Sequence, residues 1–84
     1  MKTVYKYPIQ FHDTTYSMPI GAKPVLTQVQ DDQVCVWFEL DLNEPFVPRT
    51  FNIYGTGFTI PEHEKHIGSC MTRDGALVWH VYER

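Results

Sequence analysis

The sequence predicts an all-β domain, a small antiparallel β-sandwich or barrel of six to seven short strands with at most one short helical turn. Three observations carry this. Apolar and polar residues alternate with period two between turn signals again and again along the chain. No segment repeats its apolar residues at helical spacing for more than about two turns. Alternating strand–helix units, which would announce a parallel sheet, are absent.

Each element follows in order. From Thr3 to Phe11, Tyr5 and Tyr7 alternate with Val4 and Lys6 until Pro8 interrupts, the pattern of an edge strand or a strand end. A short strand is expected around Thr14 to Met18. Pro19 to Pro24 is a connection, after which Val25, Thr27 and Val29 alternate with Leu26, Gln28 and Gln30. Asp31-Asp32 supplies hairpin turn chemistry before Val34 to Leu40, where Val34, Val36, Phe38 and Leu40 share one face and Cys35, Trp37 and Glu39 the other. Asp41 to Pro48, punctuated by Asn43, Pro45 and Pro48, reads as a loop that either tucks Phe46-Val47 against the sheet or presents it to a partner. Thr50 to Tyr54 is a strand, and Pro61 to Lys65 is a candidate helical turn with proline at its first position. His66 to Met71 is a strand, and Arg73-Asp74-Gly75 is a turn. The closing strand, Ala76 to Tyr82, is apolar on both sides and is therefore expected in the middle of a sheet or across an oligomer interface.

At 84 residues the chain is one domain, residues 1–84, whose small core gives self-association a physical motive. Twelve aromatic residues favour a folded domain over a disordered one, since each ring can bury a large area. Cys35 and Cys70 form no spaced framework and no signal segment opens the chain, so both read as reduced thiols in a cytoplasmic protein. No apolar run approaches the length of a membrane span. The net charge is −3 and the seven Lys and Arg residues are scattered, which leaves no basic stripe for generic nucleic-acid binding.

The most distinctive segment is Arg49 to Pro61, where an alternating strand runs into Gly55-Thr56-Gly57 and restarts at Phe58. Two glycines so close together weaken a strand interior, so the chain turns, bulges or meets another backbone here. Its amides are candidates for an anion nest, with Arg49 or Arg73 supplying charge, although no long helix follows as in phosphate loops. Tyr54, Phe58, Trp37, Trp79 and Tyr82 are candidates for an aromatic pocket with Arg49 and Thr56 at its mouth, or for core packing. The candidate ligand- or partner-binding residues are thus Arg49, Tyr54, Gly55, Thr56, Gly57, Phe58, Phe46 and Trp79. His63 and His66, with Glu62, Glu64 and the distant His80, lack the spacing of a zinc site, and no metal or other cofactor is assigned. Cys35 and Cys70 read as buried small hydrophobes rather than nucleophiles, Asp31-Asp32 and Asp41 with Glu44 as solvated turn residues, and no catalytic residue is assigned.

Several motifs occur in order along nearly the whole chain: Tyr5-Lys6-Tyr7-Pro8, Met18-Pro19 with Gly21-Ala22, Arg49-Thr50-Phe51-Asn52-Ile53-Tyr54-Gly55-Thr56-Gly57, and Gly75-Ala76-Leu77-Val78-Trp79-His80-Val81. On these the sequence resembles an uncharacterised family of short bacteriophage- and prophage-encoded proteins. In that pattern a histidine often follows the second glycine of the corner, where this chain has Phe58, so the resemblance implies no family-wide catalytic site there. It implies instead an accessory protein in the host-cell cytoplasm that acts by binding. The readings, in order, are inhibition of a host protein of antiviral defence through an aromatic-rich sheet face and the Pro45 to Pro48 segment; a homo-oligomer sequestering a nucleotide-like signal at the glycine corner; an enzyme without a recognisable site; and a structural role in the virion.

Overall fold

Seven strands run through the chain: β1 (Lys2–Pro8), β2 (Thr14–Pro19), β3 (Lys23–Gln30), β4 (Gln33–Asp41), β5 (Phe46–Gly55), β6 (Lys65–Met71) and β7 (Val78–Glu83). They are seen in a computed structural model that describes every residue from Met1 to Arg84. The strands form two antiparallel sheets, β1-β4-β3 and β2-β5-β7-β6, stacked as a sandwich rather than closed as a barrel. No helix is present.

The alternation seen in β4 is what fastens the two layers. Val34, Val36, Phe38 and Leu40 face the four-stranded sheet and meet Met18, Phe51, Ile53, Cys70 and Val81 from its inner side, with Ile9 and Ala22 filling the ends. Phe38 and Phe51 meet with their rings tilted 50° to each other at 5.5 Å between centroids, and Tyr7 sets its ring edge-on to Phe38 at 5.5 Å. Each large side chain fully withdrawn from water contributes about 1.5–3 kcal/mol, and Phe38, Phe51, Ile9, Met18, Val36 and Val81 are all in that state.

The Asp31-Asp32 hairpin forms as its residues require, with positive φ at both positions (53° and 60°), the backbone of a two-residue turn whose twist suits antiparallel strands. β7 lies between β5 and β6, the central place its two apolar faces call for. Pro8 ends β1, which is an edge strand.

β2 takes in Pro19, β3 starts at Lys23 and β4 runs to Asp41, each a residue or two beyond the sequence expectation, and three further boundaries differ for a visible reason. Phe46, Val47 and Pro48 belong to β5, not to a loop, because they pair with Pro19, Met18 and Ser17 of β2. The prolines do not stop this strand, since β7 joins β5 only from Phe51 onward and leaves Pro48 with no second neighbour to which it would owe an N–H. Pro61 to Glu64 is a single reverse turn closed by the Glu64 N–H on the Pro61 carbonyl (3.1 Å), without a helical turn. Ala76 and Leu77 belong to the preceding turn: Asp74 accepts from the Ala76 N–H and the Thr72 hydroxyl, and the Thr72 N–H donates to the Leu77 carbonyl, so β7 starts at Val78.

One close approach seals the side where β3 meets β6. A Cβ on Gly68 would stand 2.1 Å from Thr27 Oγ1 and 2.8 Å from Thr27 Cβ, so only glycine lets the two edges come together here. The pairing of β6 with β7 shifts register between His66 and Gly68, a bulge that turns the strand into this contact.

Candidate functional site

In the second sheet β5 and β6 flank β7 and run parallel to each other, so the connection 56–64 must travel back along the length of the sheet. Its course is fixed by hydrogen bonds. Phe51 and Ile53 point into the core, which turns Asn52 and Tyr54 to the outer face. There Glu64 Oε1 accepts from the Tyr54 hydroxyl (2.9 Å) and from Asn52 Nδ2 (3.3 Å), pinning the crossover over that face. Asn52, only 6% exposed, is engaged at both ends of its amide, because its Oδ1 accepts from the Asp13 N–H at 2.7 Å.

The other boundary is the connection between β1 and β2. β2 accompanies β5 only as far as Phe51, and beyond it Ile53 donates its N–H to the Phe11 carbonyl (3.3 Å). A cleft of about 610 Å³ opens here, lined by Phe11, His12 and Asp13 of the first connection, Phe58, Thr59, Pro61 and Glu64 of the second, Asn52, Ile53 and Tyr54 of β5, and Arg84. Phe11 and Phe58 are 51% and 61% exposed, so the walls of the cleft carry apolar surface in contact with water.

The glycine corner holds up one wall. Thr56 and Gly57 form a turn closed by the Phe58 N–H on the Gly55 carbonyl (3.1 Å), and Gly57 takes φ of 90°, which a side chain would resist. The Phe58 ring folds back over Gly55, where a Cβ would lie 3.1 Å from its Cε1. The corner is a reverse turn that aims Phe58.

The electrostatics of the cleft come from Glu64, Asp13 and Arg84. Arg84 pairs through its guanidinium with the Asp13 carboxylate. The phenol of Tyr54 is pushed above its ordinary range by burial and by its hydrogen bond to Glu64, which keeps it a donor to that carboxylate. Burial likewise raises both cysteine thiols, and Cys35 and Cys70 are neither bonded to each other nor exposed.

Of the residues singled out in the sequence, the structure brings Tyr54, Gly55, Thr56, Gly57 and Phe58 together at this corner, sets Trp79 opposite Gly55 on the neighbouring strand, and sends Arg49 and Phe46 elsewhere. Arg49 lies six residues before Gly55, roughly 20 Å along an extended strand, and points inward. Its guanidinium makes a two-pronged ion pair with Glu83 (both bonds 2.7 Å), donates to the Ala22 carbonyl and lies over the Phe38 and Phe51 rings. It is a fastening of the sandwich and not the mouth of a pocket at the corner. Phe46 opens β5 at its opposite end, 53% exposed. Trp79 packs inward against the core, with the Phe11 ring edge-on at 5.2 Å.

Sequence reasoning missed Phe11, Asp13, Asn52, Glu64 and Arg84. Their convergence from four separate segments has no local signature, except that an asparagine amid an apolar alternation is an invitation to ask what it bonds.

Beside the cleft, the outer face of the same sheet carries a second polar row. Ser69 Oγ lies 2.7 Å from His80 Nδ1 and 2.9 Å from His66 Nε2, and Thr56 Oγ1 lies 2.9 Å from His80 Nε2. Tyr82 stands between Tyr54 and His66 with edge-on contacts of 5.8 and 5.2 Å. No carboxylate bonds to either imidazole, which differs from a serine–histidine–acid relay in lacking the group that orients the base. No three His, Cys, Asp or Glu side chains converge, and His63 remains in the Pro61–Glu64 turn.

The fold and the cleft define a small all-β sandwich with an aromatic-walled, carboxylate-bearing cleft at one corner. The chain belongs to the family DUF7352, a domain of unknown function, whose profile spans residues 1–84. Comparison with curated proteins and with solved structures gives no match. No helix is long and apolar enough to cross a membrane.

Proposed function

We propose that this protein works by binding another protein, with the corner cleft as the contact that fixes its partner. The observation that carries this reading is the pair of exposed phenyl rings, Phe11 and Phe58, lining one cleft beside a strand end braced by hydrogen bonds. Apolar surface held in water by a well-braced scaffold is recovered when a partner covers it, at about 25 cal/mol per Å², and aromatic side chains are the usual anchors of such contacts. The resemblance to phage-encoded accessory proteins supports, as the partner's class, a host protein inhibited in the host cytoplasm as part of a counter-defence. Only 15 of 84 residues are buried, which also supports assembly of two or more copies around the remaining exposed apolar surface. Sequestration of a nucleotide-like anion is the weaker alternative, because Arg49 is spent on Glu83 and Arg84 on Asp13.

The test is photo-crosslinking in cells with benzoylphenylalanine at position 58 and, as control, at exposed position 6 on β1 of the other sheet. A single protein crosslinked from position 58 and not from position 6, with recovery reduced about tenfold in a Phe11→Ala background, is the expected result. Native mass spectrometry of the purified protein reports the copy number at the same time. Retained nucleotide mass, or equal crosslinking from both positions, overturns the reading.

A further inference from the structure

The chemistry of the cleft names the group it takes. Glu64 is held in place by two donors on one oxygen, Tyr54 and Asn52 both reaching Oε1, while Oε2 makes no hydrogen bond within the protein. Across the cleft Asp13 already holds a guanidinium, that of Arg84. One carboxylate is therefore matched by the chain's own arginine and the other is oriented, fixed and unmatched. Arg84 is the one Lys or Arg on the lining, and it is engaged. His12 is the remaining titratable group that faces this space besides Tyr54, and it is exposed.

We infer that the cleft receives an arginine side chain of the partner protein, its guanidinium on Glu64 and its methylenes against the exposed aromatic rings that line the same cavity. This rests on the binding reading above. A guanidinium suits the site better than an ammonium, because its flat fork bonds a carboxylate through parallel donors and lies against aromatic surface with little loss of hydration. Aromatic walls add the attraction between a cation and a ring. A phosphate or carboxylate ligand meets the opposite situation, with Glu64 repelling it and the lone guanidinium already bound.

The experiment is titration of the 15N-labelled full chain by NMR with N-acetyl-arginine amide, N-acetyl-lysine amide and N-acetyl-glutamine amide. The arginine probe is expected to shift the amides of Asn52, Tyr54, Phe58 and Glu64 saturably, at concentrations on the order of millimolar, more strongly than the lysine probe, with the glutamine probe inert. Glu64→Gln keeps an acceptor for Tyr54 and Asn52 but removes the charge, and is expected to weaken the arginine probe by about fivefold or more. Phe58→Ala, which removes no hydrogen bond of the network, is the second variant and is expected to weaken it to a lesser degree. Shifts of equal size with the glutamine probe, an undiminished response in Glu64→Gln, or no response to arginine up to about 50 mM overturns the inference. The two proposals fail separately. Crosslinking from position 58 that survives Glu64→Gln sinks the arginine site and leaves partner binding standing, whereas a normal arginine response with no crosslinked protein does the reverse.

Discussion

Arg49 and Tyr54 lie on the same strand, face opposite sides of the same sheet, and hold two glutamates that have met different fates. On the inner side Glu83 is closed off: both of its oxygens take a bond from Arg49, and the side chains of the pair are only 17% and 20% exposed. On the outer side Glu64 is braced through one oxygen and left open at the other. The period-two geometry of a strand separates what the linear sequence places together. A charge on the inner face must find its complement inside the molecule, and one on the outer face is free to find it elsewhere.

The sharpest way to break this comparison is to remove the inner cation. Arg49→Ala leaves the largely enclosed Glu83 without its partner, deprives the Ala22 carbonyl of a donor and strips the guanidinium from the Phe38 and Phe51 rings. A loss of about 3 kcal/mol is expected, read as a lowered urea midpoint with an unchanged slope. The double variant Arg49→Met with Glu83→Leu should recover most of it, because replacing both charges leaves nothing unpaired. If Arg49→Ala melts like the parent, the inner pair is ornamental and the contrast between the two faces collapses.

A smaller effect tests whether the inner side is rigid as well as closed. Gly68→Ala drives a methyl into Thr27, with its hydroxyl and Cβ both inside contact distance. Overpacking of this kind costs about 2 kcal/mol. Thr27→Ala in the same chain should return part of that loss, because it removes the Oγ1 that lies nearest. Absence of any recovery, with thermal unfolding followed by circular dichroism, would place the strain in the β6 backbone instead of in the contact.

The strand pattern made most of the fold legible, because every element of it is a local signal: the β4 alternation, the paired aspartates of the hairpin, the doubly apolar β7. Where the reading slipped, a partner decided. Phe46 to Pro48 extend because β2 lies beside them and β7 does not, and no arrangement of prolines in the sequence says which neighbours a strand will have. The corner was legible for the same reason as the strands, since Gly57 needs its positive φ and marks the turn by itself. The cleft was half legible: Tyr54 and Phe58 are named by the corner, but Glu64, Asp13 and Arg84 arrive from segments whose convergence depends on the crossover. Arg49 is near the corner in sequence alone, since its side chain turns inward to Glu83.

The smallest expected effects concern the outer network, and they separate bracing from recognition. Tyr54→Phe removes the donor that positions Glu64 Oε1, and the cost should be about 1 kcal/mol, since water reaches the vacated oxygen. Glu64→Gln retains an acceptor at the same place, so its effect on stability should stay within about 0.5 kcal/mol. The two changes therefore rank one way for stability and the other way for the arginine probe, where loss of the charge outweighs loss of the brace. That inversion is what an open carboxylate predicts. A Glu64→Gln protein destabilised as much as Arg49→Ala would instead make Glu64 a structural partner of β5, and the outer face as closed as the inner one.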